Sequence, residues 1–223
     1  MANYAAQRET MVASQLRPNR VTSSDVLRAF ATTSREAFLP NALKPLAYMD
    51  DHLLLSPAFV DAPGRYCLSP MMQAWLLQAV RITKSDAALD VGCGCGVSAA
   101  LLAALANRVD ALEENETLAT FAKSALADQG VTGASVRIAP LTGNGLFGGP
   151  YNVIIVNGGV PQPPEKLFEL LADDGRLACV ITRPDENRLV VFEKTNKVMR
   201  RSVVWDASAP PLTGFAEKSG FLF

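Results

Sequence analysis

"LDVGCGCGVSAALLAALA" (Leu89–Ala106) sets a short apolar run, three glycines at alternate positions and a longer apolar run directly end to end. The run that closes at Val91 has the length of a buried strand, and Val97–Ala106 has the length and composition of a buried helix. Between them Gly92, Gly94 and Gly96 allow backbone angles closed to other residues and let ligand atoms approach the main chain. A helix that begins just after such a turn aims free N–H groups, and the positive end of its dipole, at whatever is bound there. The turn suits part of a nucleotide-like ligand.

Outward from this unit the pattern repeats. "RVDAL" (Arg108–Leu112), "ASVRI" (Ala134–Ile138), "NVIIV" (Asn152–Val156) and "RLACVI" (Arg176–Ile181) read as strands, with helices over Glu116–Ala127 and Glu165–Leu171 among them. Parallel strands need crossovers, so the alternation predicts an α/β protein: a mostly parallel twisted sheet with helices on both faces. "RLVVFEKT" (Arg188–Thr195) and "KVMRRSVVWD" (Lys197–Asp206), parted by Asn196, predict an antiparallel hairpin at the sheet edge. "SAPPLTGF" (Ser208–Phe215) reads as a loop before a last apolar group, Phe221–Phe223.

Ahead of the sheet, Met11, Val12 and Leu16 share one helical face, and Val26, Leu27 and Phe30 share another behind the capping-box-like "TSSD" (Thr22–Asp25). Leu39–Pro70 carries five prolines and reads as a long irregular segment of the kind that lines or covers a site, with a helix over Met71–Val80 after it. The expected organisation is one domain over residues 1–223. Residues 1–80 form its helical extension and substrate-side loop, and residues 81–223 its α/β core.

Bulk properties exclude several classes. Lys and Arg number 21 against 22 Asp and Glu, a net charge of -1 with no basic block, so no nucleic-acid partner is expected. At 49% hydrophobic and 19% charged residues the chain is globular. "MANYAAQRETMV" lacks the basic start and apolar stretch of a signal peptide, and Val97–Ala106, the longest apolar run, is too short to cross a bilayer. A cytoplasmic protein without a membrane partner is expected. Cys67, Cys93, Cys95 and Cys179 are scattered and His52 is the sole histidine, so small buried thiols are expected and no metal site.

A dinucleotide fingerprint would place its third glycine where this chain has Val97, which disfavours a nicotinamide oxidoreductase. The pattern is instead D-x-G-x-G-x-G. Asp90, inside the strand end, faces the ligand and suits one with a positive amino group. At the end of the next strand Glu113 stands where a carboxylate accepts both hydroxyls of a ribose. Its neighbour Glu114 can claim the same role, and both also suit the start of a helix.

On these residues, "LDVGCGCG" with "DALEEN" (Asp110–Asn115) resembles the S-adenosylmethionine site of the Rossmann-like methyltransferases. "MVASQL" (Met11–Leu16), "SREAFLP" (Ser34–Pro40), "LAYMD" (Leu46–Asp50), "GRYCLSP" (Gly64–Pro70), "PYNVIIVNGG" (Pro150–Gly159) and "DGRLACVI" (Asp174–Ile181) narrow this. In order and spacing they resemble the protein-L-isoaspartate O-methyltransferase family. The resemblance implies S-adenosylmethionine as cofactor and isoaspartyl-containing proteins or peptides as substrate, methylated on the side carboxylate as part of protein repair. Such a reaction needs no general base, because a carboxylic acid of ordinary pKa near about 4 is already ionised at neutral pH. It rests on alignment and on removal of water. The roles implied are a cradle for the cofactor's amino acid end at Gly92, Gly94 and Gly96, alignment by Asp90, ribose binding by Glu113 or Glu114, and adenine contact around Leu141. Tyr66 and Ser69 would border the acceptor, with Asn157 facing the transfer centre.

The chain departs from the family pattern in three places. Where the family reads G-Q-T-I-S-Q-P, Tyr66 replaces the threonine and Leu68 the serine, while Ser69 keeps a hydroxyl one position later and also suits the cap of a helix starting at Pro70. Where the family reads G-D-G, "IAPLTGNGLFGGP" (Ile138–Pro150) holds no acidic residue, leaving adenine to the backbone around Pro140 and Leu141 or to Thr142. Asn157, Gly158 and Gly159 replace T-A-A. Two alternatives stay open: a methyltransferase with another carboxylate or small-molecule acceptor, and a catalytically degenerate S-adenosylmethionine-binding or interaction protein.

Overall fold

A computed structural model describes residues 3–55, 64–142 and 148–215. Seven strands form the main sheet: β3 (Ala87–Val91), β4 (Arg108–Glu113), β5 (Ala134–Ile138), β6 (Tyr151–Val160), β7 (Leu171–Arg183), β8 (Glu186–Thr195) and β9 (Val198–Asp206), in the order β5-β4-β3-β6-β7-β8-β9. The first five are mutually parallel, and β8 and β9 add antiparallel. From β3 the chain steps outward through β4 to β5, then returns to pair β6 on the other side of β3. That reversal puts the ligand crevice of such sheets above the C-terminal ends of β3, β4 and β6.

Because strand side chains alternate, the sheet has two apolar faces, and their covers differ. Val153, Ile155, Ala178 and Val180 face a large core built by α1 (Tyr4–Met11), α2 (Ser24–Thr32), α3 (Pro70–Ala79), α4 (Val97–Ala103) and α5 (Glu116–Asp128). Leu89, Val91, Leu112, Ile154 and Val156 face a smaller core closed by Leu167 of the one-turn α6 (Glu165–Phe168), by Leu141 and by Leu212. A residue expected in a C-terminal loop thus helps complete the core.

Most expected elements stand within a few residues of their place. The helix expected over Glu165–Leu171 stops at Phe168, because the Leu170 carbonyl is taken by the Tyr151 N–H at 2.8 Å and β7 has begun by Leu171. Helix α4 ends at Ala103 rather than Ala106, closed by bonds from the Leu105 and Ala106 N–H groups to the Leu102 carbonyl. The hairpin turn holds two residues, Asn196 and Lys197, both left-handed at φ 50° and 65°, which matches the strand twist. The five-residue "NVIIV" strand extends through Asn157, Gly158 and Gly159 to Val160.

In the extension, Ser23 accepts from the Val26 N–H and caps α2, and α1 runs on into a π-helical turn, Val12–Leu16. The segment expected to be irregular contains a small antiparallel ribbon, β1 (Leu53–Leu54) with β2 (Tyr66–Cys67). Residues 56–63 of that segment, part of "IAPLTGNGLFGGP" and the apolar group Phe221–Phe223 lie outside the described residues.

Candidate functional site

The glycine turn rises from the C-terminal end of β3. Gly92, Gly94 and Gly96 all sit at positive φ, 76°, 55° and 94°, which explains why the position tolerates no side chain. Several N–H groups of the turn are already spent inside the protein. Gly92 and Cys93 both donate to the Leu112 carbonyl at 2.9 Å, and Gly94 donates to Glu113 Oε2 at 2.8 Å. The turn and the end of β4 are therefore one rigid unit.

Asp90 is fully buried and uses both oxygens. Ser98 Oγ donates to one at 2.7 Å, and the Nδ2 of Asn157, on β6, donates to the other. Burial pushes the Asp90 carboxyl up to about 7, against the pull of these two hydrogen bonds. The amide of Asn157, expected to face the transfer centre, is directed at Asp90 by Nδ2, and its buried Oδ1 finds no partner among the described residues.

Glu113, equally buried, anchors the second corner. It accepts from Gly94 N–H and, through Oε1, from Asn115 N–H at 3.1 Å. Its third partner has no local sequence signal: Arg65, one residue before Tyr66, forms a buried ion pair with it. The neighbouring Glu114 turns away and accepts from Thr213 Oγ1 at 2.6 Å.

The "SAPPLTGF" loop folds back over this end of the sheet. Gly159 N–H donates to the Pro210 carbonyl at 2.7 Å, and Leu212 N–H to the Gly159 carbonyl at 2.8 Å. Leu212 then lies on the glycine turn, where a Cβ at Gly92 would come within 2.9 Å of its Cδ1. Thr213 receives a bond from Arg65 at 3.2 Å, and the Gly214 carbonyl receives one from Thr142 Oγ1 at 3.1 Å. Leu141, beside Thr142, is fully buried in the core. Between Arg65, Tyr66, Asn157 and Leu212 about 10 Å³ of space remains.

On the acceptor side, Ser69 Oγ accepts from Met72 N–H at 3.2 Å and caps α3, while its own N–H donates to His52 Nδ1 at 3.0 Å. Burial holds the pKa of His52 below its ordinary value, in keeping with that accepting role. Tyr66 is half-buried beside Gly94 and Asn157. Beneath them Arg35, 3% exposed, donates to Gln73 Oε1 at 2.5 Å, the Leu68 carbonyl at 2.6 Å and Cys67 Sγ at 3.1 Å. A hydrogen bond from Cys95 and the Arg35 charge pull the Cys67 thiol down, and the same pairing pushes Cys95 up. All four cysteines are buried and free, and no cluster of potential metal ligands occurs among the described residues.

The donor set fits S-adenosylmethionine at both ends: buried acceptors, Asp90 and the unpartnered Asn157 Oδ1, for an ammonium, and a two-oxygen carboxylate, Glu113, for ribose hydroxyls. The space between those ends is held by Arg65 and Leu212.

The family model described as Protein-L-isoaspartate(D-aspartate) O-methyltransferase matches residues 6–210. A Koribacter versatilis protein-L-isoaspartate O-methyltransferase is 35% identical over 96% of this chain and 94% of its own length. A Rhodopseudomonas palustris protein-L-isoaspartate O-methyltransferase 1 is 34% identical over 87% of this chain and 77% of its own. Among solved structures, a Plasmodium falciparum protein of that family name, in complex with S-adenosyl-L-homocysteine, superposes with a TM-score of 0.78 at 18% identity, covering 96% of this chain and 100% of that one. The methyltransferase fold is therefore shared along nearly the whole length. The chain belongs to the protein-L-isoaspartate O-methyltransferase family, enzymes that take their methyl group from S-adenosylmethionine.

Proposed function

We propose that this chain methylates the side carboxylate of L-isoaspartyl residues in proteins, with Asp90, Glu113 and the glycine turn holding the cofactor and Tyr66 bordering the acceptor. The observation that carries the reading is the placement of Asp90, Glu113 and three left-handed glycines at the sheet's switch point, in a chain of this family. When bound, S-adenosylmethionine supplies an electrophilic methyl group. Asp90 and the Oδ1 of Asn157 would hold its ammonium, and Glu113, which here pairs with Arg65, would hold its ribose. Tyr66 and β2 orient the acceptor carboxylate, and the apolar walls at Leu68 and Leu55, both buried, exclude water. Ser69 contributes by fixing the start of α3 beneath the acceptor.

No helix among the described residues is long and apolar enough to cross a membrane, and a cytoplasmic location with damaged proteins or peptides as substrate fits this activity. The test is transfer of labelled methyl from S-adenosylmethionine to a peptide carrying isoaspartate, beside the same peptide carrying aspartate. Transfer to the first alone is the expected result, and transfer to neither with cofactor still bound would refute this acceptor.

A further inference from the structure

We propose that Cys67 and Cys95 are an oxidisable pair: a peroxide joins them in a disulfide that ties β2 to the glycine turn and arrests methyl transfer, and a small thiol reopens it. The pair itself stands on the geometry of four side chains, and only the arrest of transfer rests on the function proposed above.

Arg35 carries the inference. It is a guanidinium buried under the acceptor side, and among the described residues its hydrogen-bond partners are Gln73 Oε1, the Leu68 carbonyl and Cys67 Sγ, none of them a carboxylate. Its Nε, also buried, finds no partner among those residues. A buried charge without a counter-charge is costly, and of these three partners only the Cys67 sulfur, 3.1 Å from Nη2, can carry one, by standing as thiolate. The Leu68 carbonyl, 3.9 Å from that sulfur, already accepts from the same nitrogen at 2.6 Å. From the other side the Cys95 thiol donates to Cys67. That hydrogen bond and then the Arg35 charge hold the Cys67 thiol down to about 6 against the cost of burial. Burial instead pushes the thiols of Cys93 and Cys179 up, so the four cysteines divide into one poised pair and two inert groups.

The chemistry follows from these positions. The Cys67 thiolate attacks one peroxide oxygen, the O–O bond breaks and hydroxide leaves, giving a sulfenic acid on Cys67. The Cys95 sulfur then attacks the Cys67 sulfur, the S–O bond breaks, and the departing hydroxide takes the Cys95 proton as water. The pair loses two electrons and the peroxide is reduced to water and hydroxide. Cys67 and Cys95 are only 5% and 1% exposed, so the oxidant must be small and must enter by local opening. The ribbon that carries Cys67 has just two residue pairs, Leu53 with Cys67 and Leu54 with Tyr66, and so short a ribbon opens at little cost. Once the disulfide has formed, Arg35 has lost its counter-charge and no longer sits at rest beneath Leu68 and Gln73. The bond also draws β2 closer to the turn, which already packs on it: a Cβ at Gly94 would stand 3.9 Å from the Tyr66 carbonyl oxygen. Tyr66 is thereby displaced from the acceptor.

The experiment adds hydrogen peroxide to the reduced full chain, stops it with catalase, and splits each sample. One part is alkylated in denaturant and mapped by peptide mass spectrometry, and the other is assayed for labelled-methyl transfer to an isoaspartyl peptide. Expected are the loss of two of the four alkylated thiols, a mapped Cys67–Cys95 disulfide, and transfer that falls in proportion to the oxidised fraction, with dithiothreitol restoring both. Cys95→Ser should form no disulfide at Cys67, and Cys93→Ser should still form it. A wild-type chain that forms no disulfide, or one that joins other cysteines, overturns the pair whatever the variants do. A Cys67–Cys95 disulfide with transfer undiminished overturns the arrest. No transfer by the reduced chain refutes the proposed function and the arrest with it, while the peptide map still decides the pair.

Discussion

Ser98 Oγ and Asp90 Oδ2 meet across the glycine turn at 2.7 Å, joining the first turn of α4 to the end of β3 in a place no solvent reaches. Asn157 closes the other side of the carboxyl. A buried acid held this way is the point where pH acts on the site.

Asp90 makes stability depend on pH. Its carboxyl titrates near about 7 in the folded chain against an ordinary value of 3.8, chiefly because burial penalises the charge. The folded state therefore holds this proton more tightly than the unfolded one. The stabilisation is complete below the ordinary carboxylate range and is lost as pH rises from about 4 to about 7, at about 1.4 kcal/mol per unit. In Asp90→Asn, a flip of the Asn157 amide would let its Oδ1 accept from the new side chain. The unfolding free energy of this variant, from urea titrations between pH 4.5 and 7.5, should lack most of that fall. Parallel wild-type and variant curves would refute the assignment.

Glu113→Gln weakens cofactor binding. It loses charged acceptors for two hydroxyls, worth about 1.5–3 kcal/mol each, a larger effect than the loosening of Arg65 that works in the opposite direction. Calorimetry with S-adenosylmethionine should show at least a tenfold drop in affinity. Unchanged affinity would remove Glu113 from the ribose site.

Ser69→Ala and Tyr66→Phe should separate cap from acceptor contact. The first removes the N-cap of α3 and costs about 1 kcal/mol of stability with kcat unaltered. The second leaves stability alone and lowers kcat/KM for an isoaspartyl peptide about tenfold or more, the loss of a hydrogen bond to a charged group. The opposite pattern would exchange their roles.

Arg35→Met breaks the buried platform under the site. It strands the Leu68 carbonyl and Gln73 Oε1 and removes the cation beside Cys67, a change expected to cost about 3 kcal/mol. The Cys67 thiol should ionise at higher pH, which thiolate absorbance at 240 nm would follow. An unshifted titration would mean that the Cys95 hydrogen bond alone holds Cys67 down.

What the sequence made legible follows the range of the interactions involved. Strand ends at Val91 and Glu113 and the left-handed glycines depend on neighbours within a few residues and are legible in the pattern, whereas the cap of α2 falls on Ser23, one residue after the Thr22 that the capping box "TSSD" points to. The short α6 is not legible locally, because the residue that takes the Leu170 carbonyl, Tyr151, lies 19 residues earlier in the chain. Arg65 stood inside a recognised segment, but its partner Glu113 is 48 residues away and nothing local marks the pair. The docking of Leu212 on Gly92 and Gly158 joins still more distant positions, and "APPLTGF" carries no periodicity that would announce it. The one available signal was the pair Gly158 and Gly159, glycines inside a buried strand where close backbone approach is the usual reason.

Gly158 and Leu212 form a single steric unit, so their substitutions cannot act independently. Gly158→Ala inserts a methyl group where Leu212 Cβ already sits, and Leu212→Gly takes that Cβ away. Each alone unseats the segment, but the double variant can seat it again, and a double-mutant cycle should return a large coupling energy of favourable sign. A random substitution at either position is therefore filtered by the residue at the other. The segment and the strand that carries it are thus coupled through one contact.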